Sequence, residues 1–322
     1  MEYRNLGDFK VSVIGLGTWA LGNDRWWGPQ KDEDSFLVLE KSIEQGINLI
    51  DTAPIYGRGH SEELIGKFLE KKRLRGKIIL STKLGLNWHK NKIFIDLRKE
   101  RMRKEIELSR RRLRTDYIDI YFVHWPSKNM NTKEVAEQMY EFYKKKWVKL
   151  IGVSNFSVVQ MKEFLKYSPL HVLQPPYNFF KRDIEKDIID FCLENKISII
   201  SYGSLDSGVL TGKFFKEGSK IPDDLCRKYH SELKGEKFKI NKYIIEKLGK
   251  IASRYKKTLT QFILNWTYNQ RGITSILIGM RNLKQVEENI LCTDFSIKEE
   301  DLKELEKIFS ERLQLLKNIK EA

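Results

Sequence analysis

The sequence holds no apolar run approaching the ~20 residues of a membrane-spanning helix, which excludes a helical membrane anchor in its 322 residues. Cysteine is scarce: Cys192, Cys226 and Cys292 stand far apart and form no CxxC pair. That spacing argues against a disulfide framework and against a zinc site, so no metal is expected. Cys192 falls in an apolar helical pattern and reads as core. The opening stretch MEYRNLGDFKVSVIGLG lacks a basic segment followed by an apolar one. No signal peptide is therefore expected, and the reading is a cytoplasmic protein. Long blocks of like charge are also missing. The net charge is +15, but the basic residues are spread along the chain and interleaved with acids, as in EKSIEQG and KEEDLKELEK. This describes solvated helix faces better than a polyanion-binding surface. The densest cluster, Arg110, Arg111, Arg112 and Arg114, ends a helical pattern, where cations complement the helix dipole.

What is present is a regular alternation. EYRNLG and KVSVIG flank Gly7-Asp8 and read as a hairpin. Eight short apolar runs follow: Ile14–Leu16, Ile47–Ile50, Ile78–Thr82, Ile118–Val123, Leu150–Val153, His171–Gln174, Ser198–Tyr202 and Ser275–Ile278. Consecutive apolar, β-branched positions suit parallel strands buried on both faces. Helical patterns lie between them: Asp32–Gln45 ending at Gly46, one opening at Ser61-Glu62-Glu63, Lys99–Leu113, Lys133–Lys144, Ser157–Lys166, Ile184–Glu194, Ile240–Arg254 with Thr260–Asn269, Leu283–Ile290 and Ile297–Phe309. Eight βα alternations without a polar linker predict a (β/α)8 TIM barrel with an N-terminal β-hairpin and a C-terminal helix, one domain over residues 1–322. The long irregular stretch Gly212–Glu236 follows the seventh strand and reads as a loop covering a cofactor.

Barrels place their active sites at the C-terminal ends of the strands. After the second strand comes DTAPIYG, with Asp51 and Tyr56. Lys83 follows the third, and His124 follows the fourth. Singly, each has a bland reading as a cap, a rim aromatic, a solvated lysine or a structural histidine. Together at neighbouring strand ends they suit carbonyl reduction, in which hydride arrival leaves negative charge on oxygen and an acid must protonate it. A free tyrosine, with a pKa of about 10, is a poor acid. An ammonium within a few ångströms is expected to lower that value. Lys83 would do so, Asp51 would hold Lys83 charged, and His124 would orient the carbonyl oxygen. Gly15-Leu16-Gly17-Thr18-Trp19-Ala20 fits the dinucleotide fingerprint G-x-G-x-x-G/A. That motif needs a helix immediately afterwards, and Gly22-Asn23-Asp24-Arg25-Trp26-Trp27-Gly28-Pro29 is not one. The segment reads instead as a substrate and cofactor loop. Trp19, Trp88 and Trp125 sit in such loops and are the expected substrate neighbours, ahead of the Trp26-Trp27 pair.

DTAPIYG, the lysine after the third strand and VHWP resemble the signatures of the aldo-keto reductase superfamily. GLGTWALG, GVSNF at 152–156, QPPYN at 174–178, YGSLDSGVLTGK at 202–213 and IGMRNLKQVEENI at 278–290 match in the same order. STKLGLNW and VHWPS look most like the bacterial branch of general stress proteins and inositol-cluster reductases. The resemblance implies a catalytic tetrad of Asp51, Tyr56, Lys83 and His124. It implies nicotinamide contacts from Ser154, Asn155 and Gln174, with Tyr202 stacking on the ring. Gly203, Ser204, Leu205, Gly208, Leu210 and Lys213 would wrap the pyrophosphate. Gly279, Met280, Arg281, Gln285, Glu288 and Asn289 would hold the adenosine, and Gly17, Thr18, Trp19 and Asp51 complete the cofactor set. Arg281 offers the fixed fork that a 2′-phosphate calls for, so NADPH is expected over NADH. The expected activity is NADPH-dependent reduction of small-molecule aldehydes or ketones by a monomer or weak homo-oligomer, with neither nucleic acid nor membrane as partner. The alternatives are a slow-turnover redox-sensing regulatory subunit, disfavoured by the lack of an extra N-terminal segment, and a basic nucleic-acid binder, disfavoured by the lack of a binding motif.

Overall fold

The computed structural model describes residues 1–22, 26–90 and 92–321. Asn23, Asp24 and Arg25, part of the segment that ruled out the dinucleotide fingerprint, lie outside the described residues. Eight parallel strands close into a barrel: β3 (Ile14–Gly17), β4 (Leu49–Asp51), β5 (Ile79–Leu84), β8 (Ile118–Val123), β9 (Val148–Ser154), β10 (Val172–Gln174), β11 (Ser198–Ser201) and β12 (Ile273–Gly279), which returns to β3. These are the eight expected strands, with ends displaced by no more than two residues. The hairpin β1 (Tyr3–Leu6) and β2 (Phe9–Ser12) forms as read. It packs Leu6, Phe9 and Val11 against the inward residues Leu49, Ile79, Ile120, Phe122, Leu150, Val172, Ile200 and Leu277. The interior is thus filled rather than open, and the mouth lies at the other end. Two glycines make that filling possible. A Cβ on Gly152 would stand 2.3 Å from the Phe122 ring, and one on Gly15 would stand 2.7 Å from Leu49.

Amphipathic helices surround the barrel: α1 (Asp32–Glu44), α2 (His60–Lys72), α3 (Lys99–Leu113), α4 (Thr132–Lys144), α5 (Val158–Leu165), α6 (Ile188–Glu194), α8 (Gly235–Arg254), α9 (Leu259–Tyr268), α10 (Leu283–Ile290) and α11 (Glu299–Glu321). Reciprocal capping boxes start two of them, Ser157 with Gln160 on α5 and Thr258 with Gln261 on α9. Each satisfies otherwise orphaned backbone donors.

The structure departs from the sequence reading in three places. A second hairpin, β6 (Leu86–His89) and β7 (Lys92–Ile95), follows β5, pairing Leu86 with Ile95 and Trp88 with Ile93. Trp88 therefore stands on a strand rather than in an open loop. The stretch Gly212–Glu236 is built of short turns and the four-residue helix α7 (Leu225–Lys228), capped by Asp224, and α8 begins at Gly235. The last helix continues to Glu321 instead of ending at Phe309.

Candidate active site

The closed strand order puts β3, β4, β5 and β8 side by side, so the residues at their ends share one rim. Asp51 ends β4 and is buried, Lys83 points inward from β5 at 1% exposure, and His124 follows β8, also buried. Tyr56 opens a short turn whose left-handed Gly57 packs so tightly that a Cβ there would lie 1.9 Å from the Gly22 carbonyl oxygen. That contact fixes the direction of the tyrosine. Lys83 Nζ donates to Asp51 Oδ2 at 2.6 Å, to the Thr52 carbonyl at 2.9 Å and to Tyr56 Oη at 3.3 Å. All three ammonium hydrogens are thereby directed. Asp51 Oδ1 accepts from Ser81 at 2.7 Å and Gln174 at 3.0 Å. His124 meets Tyr56 edge-on, with ring centroids 6.1 Å apart. The four groups picked out from strand ends do converge.

The electrostatic balance corrects one expectation. Lys83 was expected to bring the Tyr56 phenol below its ordinary value. Instead burial, reinforced by the Asp51 charge, holds it well above. Desolvation penalises the phenolate more than one ammonium, itself shared with a carboxylate, favours it. The phenol therefore carries its proton at neutral pH. Burial lowers Lys83, with Asp51 and then Glu62 acting against that trend. Burial and the Lys83 charge lower His124 well below the usual histidine range, so its imidazole is neutral and has one N–H to donate.

The residues implied to hold the nicotinamide form one chain of hydrogen bonds with this cluster. Ser154 donates to the Gln174 carbonyl at 2.7 Å. Asn155, left-handed at φ 65°, donates to the His124 carbonyl at 3.0 Å and accepts from the Tyr202 hydroxyl at 2.8 Å. Gln174 closes the chain on Asp51. Gly203 is left-handed with nothing within 4 Å of where a Cβ would stand, an open cradle beside Tyr202. Gly17 and Gly279 are register partners on β3 and β12, a shelf free of side chains. Ser204 donates to the Leu277 carbonyl at 3.3 Å. Gly208 is left-handed at φ 94°, Leu210 is buried and Leu205 partly so. The Lys213 ammonium lies 4.9 Å from the Phe214 ring centroid. Met280 and Asn289 are buried. Gln285 accepts from the Arg281 backbone N–H at 2.7 Å, and the Glu288 carbonyl accepts from Gln261 at 2.9 Å. Thr18 lies behind the rim, its hydroxyl donating to the Asp51 carbonyl at 2.9 Å.

Arg281 and the tryptophans bring in a segment that the sequence reading ranked low. The guanidinium donates to Gln30 Oε1 at 3.0 Å and to the carbonyls of Trp27 and Pro29. Trp27 in turn meets Trp19 edge-on at 5.5 Å, and Trp19 stacks on Tyr56 at 5.9 Å. Trp26 lies 6.0 Å from Trp19. The Trp26-Trp27 pair thus belongs to the aromatic wall beside the phenol. Trp125 follows His124 and is exposed, and Trp88 is half-buried on its hairpin. Also missed were Ser61 and Glu62 behind the rim, and Glu105 on α3. A glutamate in the first turn of a helix gives no sequence signal of burial.

The barrel and the rim together define an aldo-keto reductase architecture. A family model for the Aldo/keto reductase family matches residues 13–310, and the chain belongs to that family. Among its relatives, it is 40% identical over 311 residues to Aldo-keto reductase YhdN of Bacillus subtilis, covering 96% of this chain and 93% of that protein. It is 31% identical over 313 residues to the NADH-specific methylglyoxal reductase of Escherichia coli, covering 91% and 93%. In three dimensions it resembles the glycerol dehydrogenase AKR11B4 from Gluconobacter oxydans, with TM-score 0.88, 34% identity and coverage of 96% and 95% of the two chains. Family and relatives make it an oxidoreductase of carbonyl chemistry. Among the described residues, no helix is long and apolar enough to cross a membrane, and no group of three or more His, Cys, Asp or Glu could hold a metal ion.

Proposed function

We propose that the protein reduces aldehyde or ketone carbonyls to alcohols with NADPH, and that Tyr56 is the acid. The observation that carries this reading is the Lys83 ammonium, buried and held between Asp51 and the Tyr56 oxygen. The bound nicotinamide supplies the hydride that the carbonyl carbon receives. Neutral His124 donates its N–H to the carbonyl oxygen and orients it. As charge develops there, the Tyr56 phenol passes its proton to that oxygen. The alkoxide takes the proton despite the raised phenol value, because an aliphatic alkoxide is a far stronger base than a phenolate. Lys83 then faces the phenolate and stabilises it until solvent reprotonates it. Asp51 keeps Lys83 aimed. Trp19, Trp27 and the exposed Trp125 wall the substrate side and limit water.

The residues present fit the nucleotide. The Gly203 cradle and the Gly17–Gly279 shelf admit close backbone approach, and Ser154, Asn155 and Gln174 offer amide and hydroxyl groups at adjoining strand ends. Arg281 favours the 2′-phosphate, since an anionic oxygen outcompetes the neutral carbonyls of Trp27 and Pro29 for its fork. One relative is named NADH-specific, so both nucleotides belong in the test. The test measures oxidation of NADPH and NADH against methylglyoxal, glyceraldehyde derivatives, nitrobenzaldehydes and inositol ketones. Carbonyl-dependent oxidation, faster with NADPH, is expected. Absence of turnover across the panel would overturn the reading.

A further inference from the structure

The first turn of α2 grips the outer wall of the barrel behind the rim. Ser61 and Glu62 are wholly buried. The Ser61 hydroxyl meets those of Thr18 at 2.8 Å and Thr52 at 3.0 Å, tying the ends of β3 and β4 together. Glu62 Oε1 accepts from the Thr82 hydroxyl at 2.7 Å, and Oε2 accepts from Arg112 at 2.6 Å. Arg112 reaches this place because two positions carry no side chain. A Cβ on Gly59 would lie 2.9 Å from Arg112 Cδ, and one on Gly66 would lie 2.2 Å from the Arg112 carbonyl oxygen. Successive residues of a strand face opposite sides, so Lys83 enters the barrel while Thr82 turns to the helices. Strand β5 is therefore held from within by Asp51, through Lys83, and from without by Glu62, through Thr82.

A buried Glu–Arg pair could serve α2–α3 packing alone, with the ends of α2 and α3 as its whole concern. Two features point beyond packing. The third partner of the pair is the residue adjoining Lys83, and the carboxylate side of the pair, not the guanidinium, faces the strand. We propose that Glu62 is a positioning residue for carbonyl reduction, a second buried carboxylate that acts across β5 to hold Lys83 in place and in its charged form. This rests on the tetrad reading above. The groups facing Lys83 are Asp51 from β4, Tyr56 from its turn and His124 after β8, and the Glu62 charge on α2 acts on it from across the strand. Those around Glu62 are Arg112 and Glu105 of α3 and Tyr121 of β8. Burial draws the Lys83 proton away, and Asp51 and Glu62 both oppose that loss.

Glu62→Gln keeps the size and an oxygen for Thr82, removes the charge and leaves Arg112 as an unneutralised cation. Both changes ease proton loss from the Lys83–Tyr56 pair. The alkaline limb of kcat for NADPH-dependent carbonyl reduction should move about one pH unit lower, with the nucleotide Kd unchanged. Glu62→Asp, which keeps the charge, should restore the limb. Thr82→Val, which keeps the carboxylate but loses the hydroxyl, should lower kcat with the limb unmoved. NMR of lysine-labelled protein, with the Lys83 signal identified by its loss in Lys83→Met, should show the same displacement without turnover. If Glu62→Gln lowers Tm but leaves both the limb and the Lys83 titration as in the parent, the residue serves packing only and the proposal is overturned. Should Glu62→Gln not fold, Glu62→Gln/Arg112→Gln lacks the stranded cation and takes the same measurements: the limb and the Lys83 titration should still move lower, by less than the pH unit expected of the single variant, and both unmoved would overturn the proposal. A parent that reduces no carbonyl would overturn the tetrad reading instead, and the NMR titration alone would then decide on Glu62.

Discussion

Glu105 should limit stability above neutral pH, and replacing it with glutamine should remove that limit. Its side chain is 1% exposed on α3, one oxygen accepts from the Gly85 backbone N–H at 3.1 Å, and the other has no partner among the described residues. Burial pushes its carboxyl from 4.5 up to about 7, against the pull of the Gly85 N–H, Arg101 and Arg112. Here the folded value is raised, so between about 4.5 and 7 the folded chain holds a proton that the unfolded chain releases. Stability therefore falls as pH rises through this window, by up to about 1.4 kcal/mol per pH unit and about 3 kcal/mol in all. Glutamine keeps an oxygen for Gly85 and has nothing to ionise. Unfolding entropy of about 2 cal/mol/K per residue converts 3 kcal/mol into about 5 °C for a chain of this size. Thermal unfolding by calorimetry at pH 5 and pH 8 tests this. Parent and Glu105→Gln should differ little at pH 5, and the variant should melt about 5 °C higher at pH 8. An equal Tm difference at both pH values would refute the reasoning.

Two further outcomes follow from single contacts. Arg281→Met removes the fork and should raise KM for NADPH about ten-fold or more while leaving KM for NADH within about two-fold, because a lost charge-assisted phosphate contact is worth about 1.5–3 kcal/mol; steady-state kinetics with both nucleotides decides it. Gly66→Ala drives a Cβ into the Arg112 carbonyl, 2.2 Å away, and should cost about 1–3 kcal/mol of stability as overpacking does, read as a lowered denaturant midpoint; an unchanged midpoint would show that α2 and α3 separate freely.

The parts of the fold that the sequence displays are those set by local pattern. Strands such as Ile118–Val123 are apolar at every position but Asp119 because both faces are buried, and Lys99–Leu113 carries a helical period. The tetrad was legible because the barrel rule converts the end of a strand into a place at the mouth. The β6–β7 hairpin escaped because the sequence between Trp88 and Ile93 offers no Asn-Gly or Asp-Gly signal, and Ile93, Phe94 and Ile95 are exposed, leaving no buried face to imprint alternation. The extension of α11 escaped because the residue it buries beyond Phe309 is the charged Arg312, bonded to Asn241 at 2.9 Å, while the apolar Leu313 and Ile319 stay exposed. Long-range charge pairing leaves no local trace: Glu62 meets Arg112 fifty positions away. In a helix's first turn, Glu62 reads like any residue placed there for the dipole. The direction of the Tyr56 perturbation was misjudged for a related reason. It depends on how completely the ring is desolvated, which no spacing of residues reports.

The central claim is that the Tyr56 hydroxyl, beside Lys83, protonates the reduced carbonyl. Tyr56→Phe removes that one oxygen and leaves the Trp19 stacking face in place. Carbonyl-dependent NADPH oxidation by the variant should fall about 10²–10⁴-fold, the usual size of an acid–base contribution, while NADPH binding measured by fluorescence quenching stays as in the parent. A phenylalanine variant that turns over at the parent's rate would contradict the account.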